Sequence, residues 1–197
     1  MLIIRGNAPA QLRTRADQFV RAVAVHNATV QTAVNDAHIR LMVLVDTVES
    51  ESDSEDNDRD QNTRVGWVQP DTEITITMEI APNGGGLYDG LLHELILHVV
   101  PAVRKHTLAI GRHGIPVYAV GDAQISAEEI QEHGDQAAWQ TMGDLGATLG
   151  IAGLLDAVIM DTCAHSKPFA RNVVASLRQR QLITQAVAQE LLTEINS

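Results

Sequence analysis

Apolar and polar residues alternate strictly between Thr72 and Ile80, which is the most regular pattern in the chain. On an extended backbone Ile74, Ile76 and Met78 share one face, while threonine and glutamate side chains occupy the other. Alternation with a period of two, carried by β-branched residues, is typical of a strand that buries one face. The segment is therefore the most clearly predicted strand.

Helical spacing dominates most of the remaining chain. Apolar residues recur every three or four positions from residue 8 to residue 37, which predicts one long helix or two shorter ones. The Leu- and Val-rich stretch His38 to Val48 predicts a buried strand. Residues 136–195 predict a series of helices with breaks near Gly143, Gly150 and Pro168.

Together these elements predict an α+β fold. A small antiparallel or mixed sheet would combine with an N-terminal helix, a second helix near residue 90 and a helical C-terminal half. The 197 residues are enough for one domain with its own core. We therefore expect a single domain over residues 1–197, in which residues 144–197 form a helical subdomain. The apolar stripe of the last predicted helix, Leu182 to Ile195, fits either core packing or a homodimer contact.

The formal net charge of −11 is concentrated in one stretch. Residues 47–63 are rich in Asp and Glu, which predicts a solvated, disordered loop. Nucleic-acid binding is not expected, because phosphate contacts need a basic face. No apolar run reaches the roughly 18 residues of a membrane span, and no signal peptide is visible. We expect a cytoplasmic protein, or an effector secreted without a cleaved signal.

The candidate chemistry lies in an apolar stretch that contains His93, Glu94 and His98. The surrounding Leu, Ile and Val residues predict a buried helix from about Tyr88 to His106. Burying imidazole and carboxylate groups is costly unless they have partners, so three of them together need a common explanation. A bound metal ion with a general base beside it is one explanation.

The spacing of the two histidines sets a condition on that explanation. Side chains four residues apart on an α-helix lie about 40° from each other and can share one ion, as in His-Glu-x-x-His. His93 and His98 are five residues apart, which separates them by about 140° on a regular α-helix. They could share a metal only across a π-bulge, which inserts one residue and is frequent at functional sites. Pro101 makes local irregularity plausible, because it has no N–H for the helix.

A structural explanation stays open at this point. Glu94 and His98 are themselves four residues apart, so they could pair on one helix face without any metal. The protein would then be a non-catalytic binding or assembly module, with this helix in its core and the acidic loop as a surface for partners.

The strand followed by the histidine helix resembles the zincin-type metallopeptidases. The longer spacing resembles the dipeptidyl peptidase III family, which has a His-Glu-x-x-Gly-His motif and a downstream helix that starts with Glu-Glu. Residues 93–98 are similar to that motif, with Leu97 in place of its glycine, and residues 128–133 are similar to the downstream helix. Short zincin-like domains also occur as bacterial toxins or effectors.

The resemblance implies a zinc-dependent hydrolase, specifically a metallopeptidase that acts on a peptide or protein substrate. Zinc would be the cofactor, with His93 and His98 as ligands, Glu94 as general base and Glu129 as third ligand. His133 or Glu132 could supply the third ligand instead. Further candidate positions are Asp135 and Asp144 for orienting a ligand histidine, and Arg112, His113 and Tyr118 for stabilising an oxyanion.

The resemblance also implies a site for an extended peptide substrate. The strand that carries Ile74, Ile76 and Met78 would be an edge strand, and a peptide would add to it by β-augmentation.

Overall fold

The structure is a computed structural model, and it describes residues 1–48, 62–68, 71–104, 123–124 and 136–197. The chain divides into two compact units, Met1–Glu129 and Ile130–Ser197. The sequence predicted one domain with a helical subdomain from residue 144. Gly143, near which a break was expected, lies inside a helix and does not end it. Of the predicted acidic loop, residues 49–61 lie outside the described residues.

The first unit combines helices and strands, as the predicted α+β class requires. Its elements in chain order are β1 (Leu2–Arg5), α1 (Ala10–His26), α2 (Ala28–Asn35), β2 (Ile39–Thr47), β3 (Asn62–Val68), β4 (Asp71–Ile80), α3 (Leu87–His93), a π-helix (Glu94–Val99) and β5 (Ala123–Gln124). Residues 100–104 continue the π-helix as an α-helix. The predicted N-terminal helical region is thus two helices, because the Asn27 side chain accepts hydrogen bonds from the backbone of Thr29 and Val30 and caps the second.

The strands form a mixed sheet in the order β1-β2-β4-β3-β5. β1, β2 and β4 are parallel, and β3 is antiparallel to both β4 and β5. The sequence predicted an antiparallel or a mixed sheet, and the described strands form the mixed one. β1 and β3 were not predicted: β1 is only four residues long, and β3 begins where the acidic loop was expected to continue.

The position of β4 corrects the prediction of an edge strand. β4 lies between β2 and β3, so both sides of its backbone are paired within the sheet. Ile74, Ile76 and Met78 are fully buried in the core. An extended peptide cannot add to a strand whose two edges are already hydrogen-bonded, so these three residues do not form a substrate strand.

The core of this unit lies between one face of the sheet and its helices. α1 contacts both α2 and α3, and all three helices pack against the sheet. Their buried side chains meet those of the alternating strand positions, which are Leu41, Val43 and Val45 on β2 and Ile74, Ile76, Met78 and Ile80 on β4. The opposite face carries polar side chains, among them the cross-strand ion pair between Arg40 and Glu73 at 3.1 Å.

A tight connection joins β1 to α1 across the end of β2. Gly6 has a φ of +113°, and a Cβ atom there would lie 2.1 Å from the carbonyl oxygen of Val45. The backbone N–H of Asn7 donates to Asp46 Oδ1, and the side-chain oxygen of Asn7 accepts from the N–H of Thr47. Only glycine fits such a close approach of two backbones.

The second unit is helical, as predicted. Its helices are α4 (Gln136–Thr148), α5 (Leu154–His165), α6 (Lys167–Gln179) and α7 (Gln185–Asn196). Gly143 lets α4 approach α6, because a Cβ atom there would lie 2.4 Å from Val173 Cγ1. Leu191 and Ile195 of α7 are buried within the unit. Core packing therefore accounts for the buried part of the last apolar stripe, and the homodimer stays a prediction.

None of the helices in the described parts of the chain is both long enough and apolar enough to cross a lipid bilayer.

Replacing Gly6 by alanine should destabilise the first unit strongly. The substitution places a methyl group against the Val45 carbonyl and forces alanine into a positive φ, so we expect a loss of about 3 kcal/mol or more. Gly150→Ala is the matched control, because Gly150 also has a positive φ of +66° but no atom within 4 Å of the added Cβ. It should lose only about 1 kcal/mol. Urea denaturation followed by circular dichroism measures both, and equal losses would contradict the close contact at Gly6.

Candidate metal centre

The helix that carries the candidate site starts at a glycine-rich connection after β4. Gly84 and Gly86 both have a positive φ, and the side-chain oxygen of Asn83 accepts a hydrogen bond from the N–H of Gly85. Gly86 precedes the first residue of α3 and offers no side chain to cap it. The start of α3 is therefore fixed by this turn and by the elements packed against it.

The π-bulge on which the metal site depends is present in the structure. α3 ends at His93, and residues Glu94–Val99 form a π-helix. The N–H of Val100 donates to the carbonyl oxygen of Leu95, five residues earlier, where an α-helix would use the residue four earlier. One turn of this wider helix spans the interval from His93 to His98. The two histidines consequently lie on the same side, although they are five residues apart.

The three candidate side chains converge. Each of His93, Glu94 and His98 offers a nitrogen or oxygen atom that lies within 4.8 Å of the atoms offered by the other two. The two imidazole rings are tilted by 39°, with centroids 5.7 Å apart. Two imidazoles and a carboxylate are a donor set that binds divalent metal ions in proteins. The geometry is therefore compatible with a metal ion.

Two of the three side chains in this cluster are almost completely buried. Glu94 is 2% exposed and His98 is 5% exposed, while His93 is half-buried. The neighbouring residues of the same helix are buried and apolar, and they include Leu91, Leu92, Leu95, Ile96, Leu97 and Val99. A carboxylate in such surroundings is costly unless a cation or a hydrogen-bond donor compensates its charge. A shared metal ion or a buried Glu94–His98 pair would each supply that compensation.

Among the described elements of the first unit, α2 and β3 lie alongside the π-helix. The sequence analysis missed β3 because residues 47–63 were assigned to a loop. The signal that could have revealed it is the alternation of Thr63, Val65 and Trp67, which is typical of a strand. β3 is thus the neighbour of both β4 and the π-helix.

Most of the other predicted site residues lie outside the described residues. These are the third-ligand candidates Glu129, Glu132 and His133, the orienting candidate Asp135, and the oxyanion candidates Arg112, His113 and Tyr118. The structure therefore brings together the two predicted ligands and the predicted base, and the third ligand stays a prediction.

Asp144, the second candidate for orienting a ligand histidine, has a role within the second unit. Its carboxylate accepts hydrogen bonds from Arg180 and from the side chain of Gln140. The hydrogen bonds with Asp144 raise the pKa of the Arg180 guanidinium above its usual value. This interaction ties α4 to the residue that follows α6.

No protein-family model, no curated protein and no solved structure matches the chain. The likeness to zincin-type peptidases accordingly rests on the residues of the motif alone.

Deleting Leu97 should preserve metal binding. A π-bulge is one residue inserted into an α-helix, so its removal leaves the flanking segments in place. It also brings the histidines to the four-residue spacing that converges on a regular helix. We expect a zinc affinity within about tenfold of the wild type, because the deletion retains His93, Glu94 and His98 and changes only their surroundings. Competition with a chromogenic chelator measures this affinity.

Deletion of Val100 is the matched control. It also removes one buried apolar residue from the same helix, but the histidines stay five residues apart. If that helix becomes regular, the histidines separate by about 140° and zinc affinity falls. Loss of binding in the Leu97 deletion, with its helix content retained, would contradict the role assigned to the bulge.

Proposed function

We propose that the chain is a zinc-dependent hydrolase, and specifically a metallopeptidase, whose centre is formed by His93, Glu94 and His98. The observation that supports this proposal is the π-helix, which places the ligand atoms of these three residues within 4.8 Å of one another. A regular helix of the same sequence would keep the histidines apart. Bulges of this kind are rare in soluble proteins and frequent at functional sites.

The three side chains have different roles in the proposed reaction. His93 and His98 would hold the metal through imidazole nitrogens. A zinc ion in this place supplies Lewis acidity and an activated water molecule. The Glu94 carboxylate would be the general base, accepting a proton from water and delivering it to the amine of the leaving group. Its burial beside the histidines keeps it close to the proton it has to accept.

A third protein ligand completes a catalytic zinc site and leaves the fourth position for water. The resemblance to the dipeptidyl peptidase III motif favours Glu129 for this role, with His133 and Glu132 as the alternatives. All three belong to the segment that follows β5 in the chain.

We expect an extended peptide to bind at β3, because this strand lies alongside the π-helix and has a partly open side. Among the described strands, β3 is paired on its outer side only with the two residues of β5, opposite Arg64 and Val65. The rest of that side faces no other described strand. Because β3 also lies alongside the π-helix, a peptide added there would run close to the candidate metal centre.

A second candidate function is a non-catalytic binding or assembly module. The proximity of the Glu94 carboxylate to His98, both buried and four residues apart, is what favours it. In that case the two side chains would compensate each other and stabilise the helix. The two candidates differ in the consequence of removing only the negative charge of Glu94.

Glu94→Gln should abolish hydrolysis without releasing the metal. Glutamine keeps the shape of the side chain but cannot accept a proton, so we expect a loss of about 10²- to 10⁴-fold in rate. Activity is measured as cleavage of a mixed peptide library, detected by mass spectrometry. The zinc content is measured by elemental mass spectrometry. Glu190→Gln, at an exposed position on α7, is the matched control and should change neither.

The opposite result has a clear meaning. A wild-type protein that takes up no zinc and cleaves no peptide, together with a Glu94→Gln variant of reduced stability, would favour the module over the enzyme.

Zinc should also stabilise the fold. A ligand that binds only the native state at about 100 times its Kd adds about 2.7 kcal/mol to the free energy of unfolding. We expect this increment in the wild type and its loss in His98→Gln, which removes one ligand. His165→Gln alters a histidine of the second unit near the protein surface and should retain the full increment. Thermal unfolding with and without zinc measures the difference, and an equal gain in both variants would place the zinc elsewhere.

A further inference from the structure

We infer that Arg15 is a positioning residue of the metal centre, which it serves by holding Tyr88 and thereby keeping the π-bulge between the two histidines. The inference rests on the proposed function for its metal site, and it adds a residue on another helix that neither the motif nor the spacing indicates.

The contact between α1 and α3 is specific. Arg15 Nε donates a 2.9 Å hydrogen bond to the hydroxyl oxygen of Tyr88, and its guanidinium carbon lies 5.0 Å from the centroid of that ring. Phe19, one turn further along α1, stacks on the same ring with centroids 5.0 Å apart. The second residue of α3 is therefore fixed both along the helix axis and in rotation about it.

The same stripe of α1 also holds the turn before α3. A Cβ atom at Gly84 would lie 2.8 Å from Leu12 Cδ2 and 3.1 Å from Arg15 Nη1, so this turn packs tightly against α1. Because Gly86 gives α3 no side-chain cap, the helix start depends on these contacts. Leu12, Arg15 and Phe19 form one face of α1, since they are spaced by three and four residues.

A π-bulge can move along a helix, because the extra residue is passed on when neighbouring hydrogen bonds switch between the two patterns. If the extra residue were passed on to the start of α3, before Tyr88, the whole interval from Tyr88 to His98 would become a regular α-helix. The histidines would then separate by about 140°. Such a move would rotate the residues of α3 by about 100° and shift them by about 1.5 Å along the axis.

That rotation would break the hydrogen bond from Arg15 to Tyr88 and displace the ring from Phe19. The contact consequently opposes the movement of the bulge toward the start of the helix. Tyr88 lies five residues before His93 in a continuous α-helix. While this segment stays α-helical, fixing the rotation of Tyr88 about the helix axis also fixes the direction in which His93 points. Arg15 acts on the metal centre through this rigid segment.

The test is a comparison of zinc affinities in single and combined variants of the full chain. Tyr88→Phe removes the hydroxyl and keeps the ring, and Arg15→Met removes the donor and keeps an extended side chain. Each should lower zinc affinity about tenfold, on the scale found for groups that orient metal ligands. Arg21→Met is the matched control, because Arg21 lies on the same helix and pairs with the exposed Asp17. It should leave zinc affinity unchanged.

The decisive comparison adds Tyr88→Phe to the deletion of Leu97. Without the extra residue there is no bulge to move, so Tyr88→Phe should no longer change zinc affinity in that background. A general loss of helix packing would lower the affinity in both backgrounds equally, and that result would overturn the inference.

Failure of the inference is distinguishable from failure of the proposed function. If the wild type binds zinc and Tyr88→Phe leaves the affinity unchanged, Arg15 has no positioning role and the metal centre stands. If the wild type takes up no zinc in the competition assay, both proposals are wrong.

Discussion

One additional residue in a helical turn is the constraint on which the candidate site depends. His93 and His98 are five residues apart, and only the wider turn of the π-helix brings their imidazoles to one side. Hydrogen bonds in a π-helix are less favourable than those of an α-helix, so such a turn persists only where its surroundings hold it. Here the surroundings are the buried apolar residues of the same helix and, among the described elements, α2 and β3 alongside it.

The sheet supplies the rigid base for that helix. β4 is paired on both sides and buries every second residue, and the chain passes from its end through a glycine-rich turn directly into α3. α1 then fixes the first turn of α3 through Arg15 and Phe19. Buried apolar contacts thus set the position of the helix, and a few polar contacts set its rotation about its own axis. A buried carboxylate close to two imidazoles is the chemically costly feature that this packing maintains.

Local patterns in the sequence predicted the parts of this arrangement that depend on local physics. The alternation at Thr72–Ile80 is the observed β4, and the histidine spacing indicated the need for a π-bulge. Pairing between strands is not local, so alternation alone could not show that β4 lies inside the sheet and not at its edge. Likewise, nothing near Tyr88 in the sequence reveals a partner 73 residues away on α1. The third ligand could not be selected, because several acidic and imidazole side chains follow one another at residues 128–135.

X-ray absorption at the zinc edge is the most direct measurement of the central claim. Protein purified without chelator should contain about one zinc per chain, with two imidazole ligands at roughly 2.0–2.1 Å. His98→Gln should lower the number of imidazoles around any remaining zinc by one. A protein that takes up no zinc, or one whose zinc shows the same imidazole count after that substitution, would contradict a metal centre built on the π-helix.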